Sequence, residues 1–145
     1  MATPESLGPD PDTATLISQA HLLVSRRVSD AVSAAGFRAR PSYGAVFARL
    51  RPAGTRLTDL ARGAQMSPQA MGELVDELEG LGYVIRTPDP NDRRAKLIRL
   101  TDLGRRCTAA AGQAIAALER EITDTVGERA HQQLRRTLLR LLERD

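Results

Sequence analysis

From Thr13 onward, apolar positions recur at three- and four-residue steps: Leu16, Ala20, Leu23, Val24, Ala31, Val32 and Ala35. That period predicts a long amphipathic helix, and Gly36 ends it. Pro41-Ser42 open a shorter helix carrying Val46, Phe47 and Leu50, closed by Pro52-Ala53-Gly54. Thr58 caps a brief helix from Asp59 to Gly63, with Leu60 and Ala61 turned inward. Ser67-Pro68 starts the next: serine suits the cap, and proline suits a first turn that needs no N–H. Met71, Leu74, Val75, Leu78 and Leu81 form its apolar stripe, and Gly82 stops it. The period then falls to strand-like runs at Tyr83–Ile85 and Leu97–Leu100, separated by the turn formers Pro88 to Asp92. This reads as a hairpin with a long charged loop. Leu103, Cys107, Ala110, Ala111, Ala114, Ile115, Leu118 and Ile122 restore a helical stripe. Gly127 breaks it, and Leu134, Leu138, Leu141 and Leu142 carry a last helix.

Two short helices joined by a tight turn and followed by a hairpin describe a winged helix-turn-helix. The expected fold is therefore mainly α with a small β-hairpin wing, flanked by N- and C-terminal dimerisation helices. The boundaries expected are a flexible tail over 1–12, a winged helix-turn-helix lobe over 37–101, and dimerisation helices over 13–36 and 102–145. The outer helices are rich in alanine and have narrow apolar stripes that one subunit cannot cover, so a homodimer is the economical solution.

Composition narrows the class further. The 145 residues are 41% hydrophobic and 27% charged, as in an ordinary globular chain. No apolar run approaches the ~20 residues that span a bilayer. No basic region followed by an apolar stretch opens the chain, so no membrane partner and a cytoplasmic location are expected. The net charge of +3 is modest, and every basic residue except Lys96 is arginine. Where the charges lie says more than their sum.

The run Asp89-Pro90-Asn91-Asp92-Arg93-Arg94-Ala95-Lys96-Leu97-Ile98-Arg99-Leu100-Thr101 resembles the wing signature of the MarR (multiple antibiotic resistance regulator) family, where a D-x-R pair precedes a strand ending in Leu-Thr. Leu57-Thr58-Asp59-Leu60-Ala61 is similar to the family's first helix of the helix-turn-helix. Leu74-Val75-Asp76, Leu78-Glu79 and Gly82-Tyr83-Val84 resemble its recognition helix and exit. The resemblance runs from about Pro41 to Gly104 and implies a ligand-responsive transcription regulator, in most cases a repressor, bound to a pseudo-palindromic site on double-stranded DNA. It also implies a site for small aromatic or lipophilic effectors between dimer helices and lobe, for which His21, Tyr43 and Phe47 are candidates. Tyr43 and Phe47 in such a place are more often core than pocket.

The charges fit a DNA-binding reading. Arg86, Arg93, Arg94 and Lys96 cluster on the hairpin, and a loop tipped with arginines suits a narrow minor groove, where negative potential is greatest. Asp92, two residues before Arg94, is placed to orient its guanidinium. On the recognition helix, Ser67, Pro68, Gln69, Ala70 and Glu73 form the N-terminal face. Ser67 and the open N–H groups suit a phosphate, Gln69 suits adenine, and Ala70 allows close approach or meets a thymine methyl. The helix departs from the family pattern. It has no basic residue from Ser67 to Leu81 but holds Glu73, Asp76, Glu77 and Glu79, with family members commonly basic at Glu73 and Glu77. Glu73 either accepts from a cytosine amine or pairs with an arginine of this protein.

Other chemistry is sparse. Cys107 sits on an apolar stripe as a small core residue. His21 and His131 lie far apart, and no Cys/His/Asp spacing suggests a metal or other cofactor. No nucleophile motif, phosphate-cradling loop or acid–base pair is present, so an enzyme is not expected. The competing reading is a winged-helix protein-interaction module without specific DNA binding, which the acidic recognition helix favours and the basic hairpin opposes.

Overall fold

The computed structural model describes residues 8–143. Of the tail expected over 1–12, residues 1–7 lie outside the described residues, and Gly8 to Asp12 are irregular. Helix α1 (Thr13–Ala34) starts at Asp12, whose carboxylate accepts the Thr15 N–H at 2.9 Å. It ends two residues before Gly36, at φ 91°. A 3₁₀ turn, Pro41–Tyr43, runs directly into α2 (Gly44–Phe47), so the second helix is shorter than its pattern predicts and Leu50 falls outside it. The Thr55 hydroxyl draws the chain away, accepting the Arg51 N–H at 3.0 Å and donating to the Arg49 carbonyl at 3.3 Å.

Strand β1 (Thr55–Arg56) has no counterpart in the sequence reading. It pairs antiparallel with β3 (Asp92–Leu100), Thr55 opposite Ile98 and Arg56 opposite Leu97, and β2 (Val84–Asp89) pairs on the other side of β3. Gly54 makes the turn into β1 possible. Its φ is 95°, and a Cβ there would lie 2.9 Å from the Leu97 Cβ. Helix α3 (Leu57–Gly63) begins two residues before Asp59, with Arg56 in the cap position and no side-chain cap. Thr58 therefore lies inside the first turn instead of capping it, because sheet pairing of Arg56 fixes the entry. The turn to α4 (Pro68–Gly80) holds Gln65 at φ 54°, and the Ser67 hydroxyl accepts the Ala70 N–H as its pattern predicts.

Helix α5 (Asp102–Val126) is capped by Thr101, and α6 (Glu128–Leu142) follows at Gly127. One core joins Val32 of α1, Tyr43, Val46, Leu60, Met71, Val75, Leu78, Val84, Ile98 and Cys107. Gly104 sits against the Tyr83 carbonyl, where a Cβ would come within 2.0 Å of the oxygen. The outer helices stay largely uncovered. Leu22 is 58% exposed, Leu139 55% and Leu142 76%, whereas Leu60 and Met71 are fully buried. No helix of the described residues is long and apolar enough to cross a membrane.

Candidate nucleic-acid interface

The hairpin is longer and tighter than its turn formers suggest. Its strands pair as far as Pro88 opposite Lys96, and then the register jumps to Asp89 opposite Asp92. Arg93, Arg94 and Ala95 have no partners across the ladder and form a wide bulge, while Pro90-Asn91 make the turn. The charged loop is thus confined to the tip. Arg93, Arg94 and Lys96 are exposed and form no ion pair among the described residues.

Asp92 does not hold the Arg94 guanidinium. Its Oδ1 accepts the Arg94 backbone N–H at 3.1 Å, and its Oδ2 lies 3.6 Å from the Arg56 guanidinium. The residue that organises the tip is one that the sequence reading missed. Asp89, buried at 6% exposure, accepts the Asn91 N–H at 2.9 Å and two hydrogen bonds from Arg56, at 2.9 and 2.6 Å. The Asn91 N–H and then Arg56 hold the Asp89 carboxyl below the ordinary aspartate range. Arg56 lies 33 residues away, so only the β1–β3 pairing brings the two together.

Arg86, expected at the interface, is engaged inside the lobe. Its guanidinium bridges Asp76, at 2.6 Å, and Glu79, whose carboxylate also accepts the Arg86 backbone N–H at 3.1 Å. This ties β2 to the back of α4. A groove of about 390 Å³ beside it is lined by Arg56, Thr58, Arg86 and Lys96.

The acidic character of α4 now has a physical account. Asp76 and Glu79 face Arg86, and Glu77 receives Arg40 at 2.9 Å and the Tyr43 hydroxyl at 2.7 Å. Glu73 is the one acid of α4 without a cation among the described residues, and its carboxylate accepts from the Gln69 amide at 3.4 Å. Of the two roles open to Glu73, pairing with an arginine does not occur among the described residues. In the first turn Pro68 has no N–H and Ala70 donates to Ser67, which leaves the Gln69 N–H and the Ser67 hydroxyl to meet an anion. Gln69 and Glu73 are exposed.

Tyr43 and Phe47 are brought together, but in the core. Their ring centroids are 6.4 Å apart edge to face, and Phe47 meets Tyr83 at 6.2 Å. Burial, then Glu77, pushes the Tyr43 phenol up to about 12. His21 is exposed on α1, ~16 Å along the helix from Val32 by its rise per residue. None of the three lines the groove beside Arg86 or the depression at the α5–α6 corner. The larger depression, about 730 Å³, lies at the α5–α6 corner around Gly127, Arg129 and Arg136. Cys107 is buried, and burial raises its thiol, as a core role requires.

Residues 51–96 match the model of the MarR family. Among solved structures, the transcriptional repressor CouR bound to a 23-mer DNA duplex is 27% identical, with a TM-score of 0.76 over 90% of this chain and 92% of that one. CouR from Rhodococcus jostii RHA1 bound to p-coumaroyl-CoA is 33% identical, TM-score 0.69, covering 88% and 89%. A transcriptional regulator (MarR family) from Rhodococcus sp. RHA1 is 31% identical, TM-score 0.67, covering 86% and 89%. No curated protein sequence matches significantly. With its winged helix-turn-helix, the family match over recognition helix and wing, and this identity along most of the chain, the protein belongs to the MarR family of transcriptional regulators.

Proposed function

We propose that this chain is a repressor that binds a pseudo-palindromic site on double-stranded DNA as a homodimer and releases it on binding a small effector. The observation that carries the reading is the division of charge. Three of the four acids on the recognition helix are held by internal cations, while Arg93, Arg94 and Lys96 of the wing are left to meet phosphate. Ser67, Pro68, Gln69, Ala70 and Glu73 then face the major groove, and the wing bulge enters the adjacent minor groove. The DNA-bound state of the similar CouR supports this, as does the p-coumaroyl-CoA bound by CouR of Rhodococcus jostii RHA1 for an acyl-thioester or aromatic effector. The exposed leucines of α1 and α6 support a second copy, with 13–36 and 102–145 as dimer arms and 37–101 as the DNA-binding lobe. In this reading the protein performs no catalysis and works in the cytoplasm.

An effector that releases DNA must bind the DNA-free form more tightly, and DNA must weaken effector binding by the same factor. Titration of duplex DNA at several salt concentrations is the direct test. Binding should weaken steeply with salt and favour duplexes selected from a random library. Salt-independent binding, or none, would leave the protein-interaction module as the better reading.

A further inference from the structure

The stretch between α1 and α2 is fastened to the far half of α4 and its exit at three points. The Tyr83 hydroxyl accepts the Arg38 N–H at 2.8 Å and donates to the Arg38 carbonyl at 3.0 Å. Arg40 donates to both Glu77 oxygens at 2.9 Å. The Tyr43 hydroxyl donates to Glu77 at 2.7 Å, with the Tyr43 side chain buried at 4% exposure. Arg38 to Tyr43 is therefore a short strap, lashed at one end to Tyr83 and at the other to Glu77. It follows directly on α1, whose Val28 and Val32 pack into the lobe while its N-terminal half is uncovered.

We propose that Glu77 is a positioning residue: with Arg40 and Tyr43 it fixes α4 against α1, and so sets the distance between the two recognition helices of a homodimer. The inference rests on the DNA-binding reading and extends it to a residue outside the interface. The leverage is large. Helix α1 has 22 residues and is ~33 Å long. A rotation of about 6° at the strap moves its far end by about 3.4 Å, one base-pair step. A weak joint would blur the half-site spacing. A carboxylate accepting three hydrogen bonds, one from a buried phenol, makes it stiff.

The test uses the full chain and a duplex selected from a random library with the wild type. Its two half-sites are presented at the selected spacing, one base pair closer, one wider, and as a single half-site. The wild type should lose roughly fivefold or more when the spacing changes. Arg40→Ala, Tyr43→Phe and Glu77→Ala should bind the three spacings within about twofold of one another, with half-site affinity and dimer mass unchanged. Arg40 is exposed, so its variant folds even if Glu77→Ala does not. Full spacing preference in Arg40→Ala and Tyr43→Phe overturns the proposal. Equal loss on half-site and full site also overturns it, because Glu77 would then act on DNA directly or on folding. A wild type that selects no duplex overturns the DNA-binding reading itself, and the positioning role with it.

Discussion

The lobe and the arms solve the problem of apolar surface in opposite ways. In the lobe, Val46, Leu60, Met71, Val75 and Leu78 from three helices are fully buried within one chain. In the arms, α5 carries Ile115 and Val126 at 49% exposure each, and α6 carries Leu134, Leu139, Leu141 and Leu142 at 48–76%. The only buried residue of α6 is His131, held by Thr123 at 2.7 Å and facing Glu119 at 3.3 Å. The lobe is therefore a finished core, whereas the arms leave most of their large apolar side chains open. Exposed leucines in this number are what the proposed second copy would cover.

The sharpest way to break this comparison is to damage the lobe core. Gly104→Ala drives a Cβ into the Tyr83 carbonyl, which as main chain cannot move aside. It should cost more than about 4 kcal/mol or abolish folding, and Leu60→Ala should cost about 2–5 kcal/mol, read by denaturant melts. A loss under about 1 kcal/mol for Leu60→Ala would mean that the lobe is not the stable unit.

In the arms the expected effect is on assembly. Leu138→Glu with Leu142→Glu should halve the mass seen by light scattering while the lobe melts as a separate unit. An unchanged mass of twice the chain would place the interface elsewhere. A single-chain mass for the wild type would end the dimer reading.

Two arginines of the lobe sharpen the comparison within it. Arg94→Ala should lower the slope of log affinity against log salt by ~0.9 per contact, or about 2 per dimer, with melting unchanged. Arg86→Ala should do the reverse, lowering the melting temperature and leaving the slope nearly intact, because its partners are Asp76 and Glu79. Exchanged phenotypes would show that the assignment of these two arginines is inverted. A smaller effect is expected for Glu73→Gln. Loss of the one uncompensated carboxylate of α4 should strengthen binding to most duplexes about equally. A loss confined to the selected site would instead make Glu73 a reader of bases.

The smallest effect concerns acid. The folded-state pKa of Asp89 is depressed, so its contribution is fully present above the ordinary aspartate value, near ~4. It is lost as pH falls through the lower folded value, where the carboxyl protonates and releases Arg56 and the Asn91 N–H. Protection of the Asn91 N–H, taken relative to its intrinsic exchange rate, should fall progressively below about pH 4, and Asp89→Asn should remove that dependence. A profile flat to lower pH in the wild type would mean that Asp89 does not fasten the tip.

Much of this was legible along the chain. Ser67-Pro68 starts α4 where expected, because capping and a proline first turn are local chemistry. The stripe from Met71 to Leu78 is buried as its period requires. The run from Asp89 to Thr101 with its companion motifs pointed to the family that the structural comparisons establish. Local pattern was misleading where long-range pairing competed with it. Thr58 has the chemistry of a cap, yet α3 starts at Leu57, with Arg56 in the cap position, because β1 pairs with β3. Turn formers marked a long loop, yet the strands extend to Pro88 and Lys96 and leave only a bulge.

The sequence by itself determined the helices, their order and the winged architecture, since periodicity, caps and turn residues act within a few positions. It also supplied every charge, but not where each would be spent. Only the tertiary structure decided that Arg86 serves α4, that Arg56 fastens Asp89, and that Glu77 holds the strap through Arg40 and Tyr43. Those pairs are 7 to 37 residues apart. An ion pair is chosen by distance in space, and its members carry no mark in the sequence until the backbone brings them within hydrogen-bond reach.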